Sequence, residues 1–425
     1  MSDQRLEVLL SSEASGQMWN MCVWDPATGS ALKTFKGSAT KSRTTAFLGN
    51  TFLVSGQPNK PLLNVWLLNK HEQKPLKYIA PGVLQSIAGS PCGHFLVGTL
   101  EERIYIWQTS SGKLLRIITT GHYQKISVTK FTSDGSHFVT AGEDGNVLVW
   151  PISTVVNVNS SSCKPRYIWS NHSLGITDMH IGNGGANARV FTASKDQTAK
   201  VYCLSSGHLL LDVEFAFPLL SITVDSAEEN AFVGTSNAMI FAFGLKSPPR
   251  DLKMSIESTS SDNTFRGHSA GITCLSVSLD GLMLASGSED FDVRIWHVKS
   301  RQCTRVIPHK GSVTGLLYMI PKRGMLRPDD FVPDVTLSLL EKTVADKNLA
   351  KSDVYSIDII TSLNDSADQY PENSARDLLL NTQTFEMSSA SAANGNEESD
   401  CDEIKRLKVI NQKLYEASVK AILKE

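Results

Sequence analysis

The sequence predicts an all-β fold: a seven-bladed β-propeller closed by a C-terminal strand, with a disordered acidic linker and a short C-terminal α-helix after it. The main observation is a repeat. An aromatic residue follows a short β-branched run seven times, and the alternation within each run places the aromatic on the buried side of a strand. These aromatics lie 41 to 53 residues apart and are Trp24, Trp66, Trp107, Trp150, Tyr202, Phe243 and Trp296.

The strand content of one repeat is clearest in the last unit, between residues 272 and 309. Four apolar runs are separated there by turn residues such as Asp280-Gly281, and the aromatic belongs to the third run. A single four-stranded sheet leaves both of its faces open to water, whereas seven sheets packed radially bury them. Each unit is therefore predicted to form one blade.

The two ends of the repeat region are offset, which predicts how the ring closes. The first unit begins with EVLLSS at residues 7–12, which corresponds to a second strand, so its first strand is missing. The run from Ser312 to Ile320 is an additional first strand after the seventh unit. Pairing of these two runs would complete the first blade.

Composition divides the chain into four regions: a propeller at 1–320, a proline-broken extension at 321–363, an acidic linker at 364–403 and a C-terminal helix at 404–425. In the extension, Asp353 to Thr361 alternates as an isolated strand would. It could lie against the propeller or, as we favour, add to the sheet of a partner. The linker has ten acidic residues and one basic residue, a composition typical of disorder.

The C-terminal region contains no Gly or Pro, and its apolar residues have the alternating spacing of a coiled-coil seam. A helix of this length is marginally stable alone, so it needs a partner surface. We favour pairing with a second copy, which would make the protein a homodimer. Docking onto its own propeller or onto a helical-repeat partner is the alternative. The seam consists of Leu407, Ile410, Leu414, Ala417 and Ala421.

Charge and cysteine content argue against several classes of protein. The formal net charge of -2 gives no overall attraction to nucleic acid or anionic membrane. The N-terminus lacks the features of a secretory signal, and the longest apolar stretch, Val213 to Val224, is too short to span a bilayer. The seven cysteines include no CxxC pair, which fits reduced intracellular thiols. We expect no membrane association, no cofactor and no metal.

Three units share polar residues at fixed offsets from the aromatic. A His is followed 22 or 24 residues later by an Asp, which lies six residues before the aromatic, and a Ser or Thr lies four residues before the Asp. The sets are His122, Thr140, Asp144 and Trp150; His172, Thr192, Asp196 and Tyr202; and His268, Ser286, Asp290 and Trp296. These motifs resemble those of WD-repeat proteins over residues 5 to 320. The resemblance implies that each set forms a hydrogen-bonded tetrad that braces a blade.

Ser, His and Asp also form hydrolase triads, which raises an enzymatic alternative. A catalytic triad occurs once, whereas this set occurs three times with Thr and Tyr as replacements. We therefore interpret the sets as structural and expect no catalytic residues.

Four units depart from the pattern. Units one to three have Met18, Lys60 and Glu101 at the Asp position, and unit six lacks an Asp within Thr235 to Asn237. These blades are predicted to lack the tetrad, either because apolar packing is sufficient or because the replaced residues contact a partner.

Two insertions follow the third strands of units four and six, at Ser153 to Lys164 and Pro248 to Asn263. Their Ser/Asn-rich composition predicts surface loops on the same face of the propeller. Either neutral drift or contact with a partner would account for them.

HYQ at residues 122–124, ITDMHIG at 176–182 and EIKRLKVINQKLYE at 403–416 resemble the family of the WD-repeat subunit of the rixosome. The resemblance implies a non-catalytic scaffold in the nucleus, nucleolus and nucleoplasm that supports processing of internal transcribed spacer 2 in the pre-60S particle. Implied partners are a helical-repeat scaffold and a midasin-type ATPase, and direct RNA contact stays open.

Three classes of function are compared on this basis. The first is the ribosome-assembly scaffold, the second is another WD-repeat adaptor such as a substrate receptor of a ubiquitin ligase, and the third is a propeller enzyme. An enzyme would need a unique polar cluster, and a ligase receptor would usually have a separate recruitment motif. Neither feature is found in the sequence, so we favour the scaffold.

Overall fold

The computed structural model describes residues 7–17, 19–69, 74–157, 163–246, 252–256, 264–326 and 337–343. Within them the chain forms seven sheets that are the blades of a β-propeller, as the repeat predicts, and all their strand pairs are antiparallel except one in blade five. The first strands of neighbouring blades contact each other from blade two round to blade one, and the innermost strands surround a central channel.

The first three blades each have four strands. Blade one consists of β29 (Val313–Met319), β1 (Val8–Glu13), β2 (Met21–Trp24) and β3 (Ala31–Phe35). Blade two consists of β4 (Thr45–Leu48), β5 (Phe52–Gly56), β6 (Leu62–Leu67) and β7 (Leu76–Ile79). Blade three consists of β8 (Ser86–Gly89), β9 (Phe95–Leu100), β10 (Arg103–Gln108) and β11 (Leu114–Ile118).

Blade four consists of β12 (Ile126–Phe131), β13 (His137–Gly142), β14 (Val147–Pro151) and β15 (Tyr167–Trp169). Blade five begins with β16 (Ile176–Ile181), β17 (Arg189–Ser194), β18 (Thr198–Cys203) and β19 (Leu209–Glu214). Blade six consists of β20 (Leu219–Val224), β21 (Asn230–Thr235), β22 (Met239–Gly244) and β24 (Thr264–Arg266). Blade seven consists of β25 (Ile272–Val277), β26 (Met283–Ser288), β27 (Asp292–His297) and β28 (Cys303–Pro308).

The repeating aromatics lie on the third strands, as predicted, and pack between blades. The side chains at Trp66, Trp107, Trp150, Tyr202 and Trp296 are among the largest that are fully buried. Each belongs to an apolar cluster in which two neighbouring blades meet. This packing stabilises the ring because each inter-blade contact removes apolar area from water on both sheets.

The closure prediction is confirmed. β29 pairs with β1 in antiparallel register, with Leu9 opposite Tyr318 and Ser11 opposite Leu316. A bulge between Ser12 and Glu13 shifts the register at the end of the pair. The first blade is thus built from both ends of the propeller sequence.

The alternating strand directions place two kinds of connection on each face. One face contains the connections between blades and the turns between second and third strands. We call it the histidine face, because His122, His172 and His268 lie in its connections. The opposite face contains the turns between first and second and between third and fourth strands, and we call it the tail face.

Both insertions contain regular structure, which the prediction of surface loops missed. Residues Ile152–Val156 form the short helix α1, whose Val155 is buried against blades three and four. In the other insertion, β23 (Lys253–Ser255) pairs in parallel with β19 and becomes a fifth strand of blade five. The expectation of four strands in every blade is therefore wrong for blade five, because the insertion after β22 returns to the neighbouring sheet. A one-turn 3-10 helix at Gly185–Asn187 connects β16 and β17.

The chain continues along the tail face after β29. Met325 is fully buried in the cluster of blades one and two, and Lys322 Nζ donates to the carbonyl of Gly49 over 3.1 Å. Residues 337–343, which we call the docked extension, contact blades two and three. The strand predicted at Asp353 to Thr361, the acidic linker and the C-terminal helix lie outside the described residues.

Candidate functional site

The structure brings together the predicted set in blade four. His122 Nδ1 lies 3.1 Å from Asp144 Oδ1, and His122 Nε2 lies 2.9 Å from Thr140 Oγ1. Trp150 Nε1 donates to the same hydroxyl over 3.1 Å. The backbone N–H of Tyr123 donates to Asp144 Oδ2, so the carboxylate also binds the residue after the histidine.

Blade seven repeats this geometry with shorter distances. His268 Nδ1 lies 2.8 Å from Asp290 Oδ2 and His268 Nε2 lies 2.7 Å from Ser286 Oγ, while Trp296 Nε1 donates to Ser286 Oγ over 2.8 Å. The Ser269 amide donates to Asp290 over 3.0 Å. A neutral imidazole that donates from Nδ1 and accepts at Nε2 satisfies every donor in this chain.

In blade five, three of the four predicted residues form a network, and Thr198 joins it by donating to Asp196 Oδ1 over 2.7 Å. His172 Nδ1 lies 2.9 Å from Asp196 Oδ2, and His172 Nε2 lies 2.8 Å from Thr192 Oγ1. Tyr202, predicted as the fourth member, stacks on Trp169 at 4.4 Å between ring centroids, and its hydroxyl has no hydrogen-bond partner among the described residues. Tyr202 is therefore a buried core residue and not a member of the network.

The hydroxyls in these networks are positioned like a hydrolase nucleophile but are not accessible. Thr140, Thr192 and Ser286 are each 0% exposed. In blades four and seven the hydroxyl oxygen also accepts the indole N–H. A substrate carbonyl cannot reach an oxygen that is enclosed on all sides, so the geometry favours a structural brace over acyl transfer.

The charge state of the blade seven brace follows from its surroundings. Burial lowers the pKa of His268 although the carboxylate of Asp290 opposes this shift. Burial alone would raise the pKa of Asp290, but donation from the Ser269 amide and from His268 holds it below its ordinary value. Asp144 and Asp196 also have lowered pKa values, because hydrogen bonds outweigh their burial. A neutral imidazole against a carboxylate is the state these shifts favour.

Blade one has a fourth network that the sequence reasoning missed. His309 Nε2 lies 2.8 Å from Ser11 Oγ, and Trp24 Nε1 donates to that hydroxyl over 2.8 Å. Glu13 replaces the aspartate only in part. Its Oε2 accepts the Lys310 amide over 3.0 Å, as Asp290 accepts that of Ser269, but His309 Nδ1 lies 3.0 Å from the carbonyl of Ile307 and not against the carboxylate. We call Ser11, Glu13, Trp24 and His309 the closure brace.

Unit one, which was expected to lack the tetrad, therefore has its Ser, His and Trp members but not the bond between carboxylate and imidazole. Met18, which occupies the Asp position in the sequence register, lies outside the described residues. The sequence does contain a signal for this network, which is the distance from the histidine to the first strand of its blade. His309 precedes Val313 by four residues, as His268 precedes Ile272. It was missed because a search for His followed by Asp within one unit cannot find partners at opposite ends of the propeller.

In blades two and three the indole N–H of the repeating tryptophan donates to a backbone carbonyl and not to a hydroxyl. Trp66 Nε1 donates to the carbonyl of Lys36 over 3.2 Å, and Trp107 Nε1 donates to the carbonyl of Glu341 in the docked extension over 2.8 Å. Lys60 and Glu101, which replace the aspartate in these units, lie in exposed turns of the histidine face. Blade six closes its turn with Thr235, whose hydroxyl donates to the carbonyl of Met239 over 2.8 Å.

The docked extension is held by backbone hydrogen bonds at the turn between β10 and β11. The Ser338 amide donates to the carbonyl of Thr109 over 3.0 Å, and the Glu341 amide donates to that of Gly112 over 2.8 Å. Gly112 has a φ of +72°, and a Cβ there would lie 1.9 Å from the carbonyl oxygen of Leu339. Only glycine permits both the conformation and the close approach.

Comparison with known proteins identifies the family. The profile of the family described as WD domain, G-beta repeat matches residues 112–151 and 259–297. The chain is 41% identical over 334 residues to WD repeat-containing protein 18 of Danio rerio, covering 78% of this chain and 77% of the relative. It is 40% identical over 339 residues to the Rattus norvegicus protein of the same name, covering 79% and 78%. The chain belongs to the family of WD repeat-containing protein 18.

A more distant relative has a name that describes a process. The pre-rRNA-processing protein crb3/ipi3 of Schizosaccharomyces pombe is 32% identical over 335 residues, covering 71% of this chain and 74% of the relative. This member of the WD repeat-containing protein 18 family thus shares most of its propeller with a protein named for pre-rRNA processing.

Two further properties of this family member concern its described residues only. Within them, no group of three or more His, Cys, Asp or Glu side chains could hold a metal ion. None of the helices in the described ranges is long and apolar enough to cross a membrane.

The histidine face of this WD repeat-containing protein 18 family member presents exposed apolar side chains. Tyr123 is 87% exposed beside the blade four brace, and Leu174 in the next connection is 54% exposed. Phe291 is 49% exposed and has a φ of +70°, a conformation that is uncommon for a bulky residue. The docked extension lies on the other face, so the chain itself covers parts of the tail face.

Proposed function

We propose that the protein is a non-catalytic scaffold subunit of a nuclear complex that processes pre-ribosomal RNA during maturation of the large subunit, at internal transcribed spacer 2. The observation on which this proposal mainly rests is the similarity, over more than two thirds of the chain, to relatives that include a protein named for pre-rRNA processing. The enclosed hydroxyls of the braces support a role without catalysis, because a nucleophile must be reachable.

The scaffold uses its surfaces to hold other proteins together in the nucleus, nucleolus and nucleoplasm. Propeller rims and faces present large rigid areas, and exposed aromatic residues are enriched at protein interfaces. The exposed Tyr123 and Phe291 support the histidine face as a contact surface. The implied partners are a helical-repeat scaffold, a midasin-type ATPase and the pre-60S particle.

Depletion and rescue test the process. Cells without the protein should accumulate precursors that retain internal transcribed spacer 2 and should lose large subunits with little change in small subunits. Rescue with the unmodified chain should restore processing. Normal precursors after depletion would instead favour another adaptor function, such as a ubiquitin-ligase receptor, and affinity purification from nuclear extract would then identify its partners.

The same rescue separates a scaffold from an enzyme. Ser286→Ala removes the hydroxyl of the blade seven brace but leaves the fold, at a cost of about 1–3 kcal/mol because His268 Nε2 and the Trp296 indole lose their partner. It should restore processing as well as the unmodified chain does when both accumulate to the same level. Complete loss of processing at equal protein level would contradict the non-catalytic role.

The proposal includes a homodimer that is joined through the C-terminal helix predicted from the sequence. The seam of Leu407, Ile410 and Leu414 offers about two and a half heptads, too little for strong isolated pairing but sufficient when other contacts bring two copies together. The linker permits this without fixing the orientation of the propellers.

Sedimentation of the reconstituted complex tests the homodimer. Replacing Leu407, Ile410 and Leu414 with Asp should convert dimer to monomer while the propeller stays folded. Replacing Lys405, Lys408 and Gln412 with Asp adds negative charge outside the seam and should leave the dimer intact. An unchanged mass for the seam variant would indicate docking of the helix on its own propeller or on a helical-repeat partner.

A further inference from the structure

The central channel is closed by an arginine near the histidine face. Arg43 Nη1 lies 3.0 Å from Asp178 Oδ2, and Arg43 Nη2 donates to the carbonyls of Leu220 and Thr273 over 2.9 and 3.2 Å. These partners belong to the inner strands of blades five, six and seven, whereas Arg43 precedes the inner strand of blade two. The side chain therefore crosses the channel and links opposite blades.

Beyond Arg43 the channel widens toward the tail face. A cavity of about 300 Å³ lies between the inner strands, and a second cavity of about 380 Å³ forms its mouth between blades two, three and four. Phe47, Lys130, Phe131 and Leu317 line both cavities, so the two are continuous.

Two lysines face this space, and neither forms an ion pair within the described part of the chain. Lys130, the fifth residue of β12, makes no hydrogen bond or ion pair within the described part of the chain. Lys322 at the mouth donates to two neutral oxygens, the carbonyl of Gly49 at 3.1 Å and Asn50 Oδ1 at 3.0 Å, and its Nζ lies 5.5 Å from the centroid of the Phe47 ring. Both amines are partly removed from water, and burial lowers the pKa of each.

Asp178 is the one carboxylate among the described lining residues. It favours the charged form of Lys130, but it is paired with Arg43, which has the opposite effect on this lysine, and it accepts the Ile222 amide over 3.1 Å. Burial lowers the pKa of His180 to about 3 and raises that of the Cys274 thiol to about 11, so both are neutral at pH 7. An anion bound at the mouth of the channel would favour the charged form of both lysines against the burial that lowers their pKa values.

We propose that the tail-face mouth of the channel binds a phosphate group, with Lys130 and Lys322 as its cationic ligands. Two ammonium groups balance a dianion such as hydrogen phosphate, whereas a monovalent carboxylate would leave one lysine unbalanced. The hydroxyl of Thr45 lines the same space and can turn toward such an ion. A free phosphate ion and the phosphate of a larger molecule share this chemistry.

Titration of the full-length chain with inorganic phosphate, at constant ionic strength, tests the site. The midpoint of thermal unfolding should rise in a saturable manner with phosphate, and acetate at the same ionic strength should not reproduce the rise. Lys130→Met keeps the length of the side chain but removes the charge, and it should weaken phosphate binding about tenfold or more. Lys77→Met, on the exposed outer strand of blade two, should bind as the unmodified protein does.

A second measurement does not depend on the stability of a variant. Labelling with a small amine-reactive reagent, followed by mass spectrometry of the unmodified protein, should show that phosphate protects Lys130 and Lys322 and leaves Lys77 unprotected. If Lys130→Met does not fold, this protection and the Lys322→Met variant decide the result. Equal effects of phosphate and acetate, no saturable shift, or labelling of Lys130 that phosphate does not change would overturn the proposal. Phosphorylated ligands that bind more tightly than free phosphate would identify the larger molecule as the source.

Discussion

The blades differ in where the partners of their buried polar groups come from. In blade seven the brace is local, because His268 and Ser286 are 18 residues apart in the sequence. In blade one the equivalent pair, His309 and Ser11, is 298 residues apart. The bonds between histidine and serine have nearly the same length in both blades. The fold therefore imposes one geometry on this pair, whether its residues are close or distant in the sequence.

Blade three extends this comparison. Its indole, that of Trp107, is bound by a carbonyl of the docked extension, 234 residues away. A locally braced blade can form its polar network as soon as its own strands pair, whereas blades one and three must wait for the C-terminal segments. The stability of the ring therefore depends on segments from both ends of the described chain. The entropy cost of closing a long loop opposes these contacts, because the chain must be brought together before they form.

The largest loss of stability is expected when the tryptophan is removed from the local brace of blade seven or from the closure brace of blade one. Trp296 is 2% exposed, and Trp296→Ala should destabilise the propeller by about 3–5 kcal/mol through lost packing and a cavity. Trp24 is only partly buried, so Trp24→Ala should have a smaller effect. Urea unfolding of both variants measures the difference, and equal losses would show that the closure brace is as deeply integrated as the local one.

The carboxylates provide the next test. Asp290→Ala should cost about 1–3 kcal/mol because His268 and two backbone amides lose their acceptor. Glu13→Ala should cost a similar amount but should act elsewhere, since it releases the Lys310 amide beside the closure strand. Hydrogen exchange locates each effect.

Amides of β29 should exchange faster in Glu13→Ala than in Asp290→Ala, and those of β27 should show the reverse order. Glu13→Gln retains an acceptor and should behave more like the unmodified chain. Wild-type thermal stability of Asp290→Ala would contradict the structural role of the local brace.

Much of this organisation could be predicted from the sequence, and the exceptions share a cause. The aromatic period located every third strand, and the unused run after the seventh unit located β29, because both depend on contiguous patterns. The brace residues of blades four, five and seven were found through fixed offsets within one unit, apart from the failure of Tyr202 to join its network.

What sequence reasoning missed depends on pairs that no local window contains. His309 with Ser11, β23 with β19, and Glu341 with Trp107 join segments whose separation in the sequence has no period. The composition of the second insertion is that of a loop, and only the neighbouring edge of β19 converts three of its residues into a strand. The channel lysines were also missed, because an inward-facing polar residue on an inner strand looks like ordinary alternation.

A smaller, local effect is expected when the docked extension is displaced. Gly112→Ala places a Cβ against the carbonyl of Leu339 and imposes a φ that alanine disfavours. Gly135→Ala is the matched control, since Gly135 has a φ of +70° but its nearest neighbour, Pro91 Cδ, is 3.4 Å away. The strain of the conformation is common to both variants, so the difference between them reports the docking.

Limited proteolysis measures this difference. Gly112→Ala should make the segment around residues 337–343 more sensitive to protease while the propeller stays resistant, and Gly135→Ala should not. Equal sensitivity of the two variants would mean that the contact with blade three contributes little to holding the extension.

The smallest effect concerns pH and distinguishes the two braces by their histidines. Burial lowers the pKa of both His268 and His309 in the folded protein. A histidine whose pKa is lower when folded binds fewer protons than it does when unfolded, so stability should decrease as the pH drops below the ordinary value of about 6.5, at no more than about 1.4 kcal/mol per pH unit for each histidine. Between pH 7 and 6 the loss is therefore a fraction of that amount.

His268→Gln and His309→Gln should each lower stability at pH 7 and flatten its decrease toward pH 5, whereas His208→Gln, at an exposed position, should change neither. Thermal midpoints measured across this range give the slopes. His309→Gln could leave the slope unchanged while His268→Gln reduces it. In that case His309 is not buried in solution as it is in the structure, and the local brace and the closure brace are not equivalent.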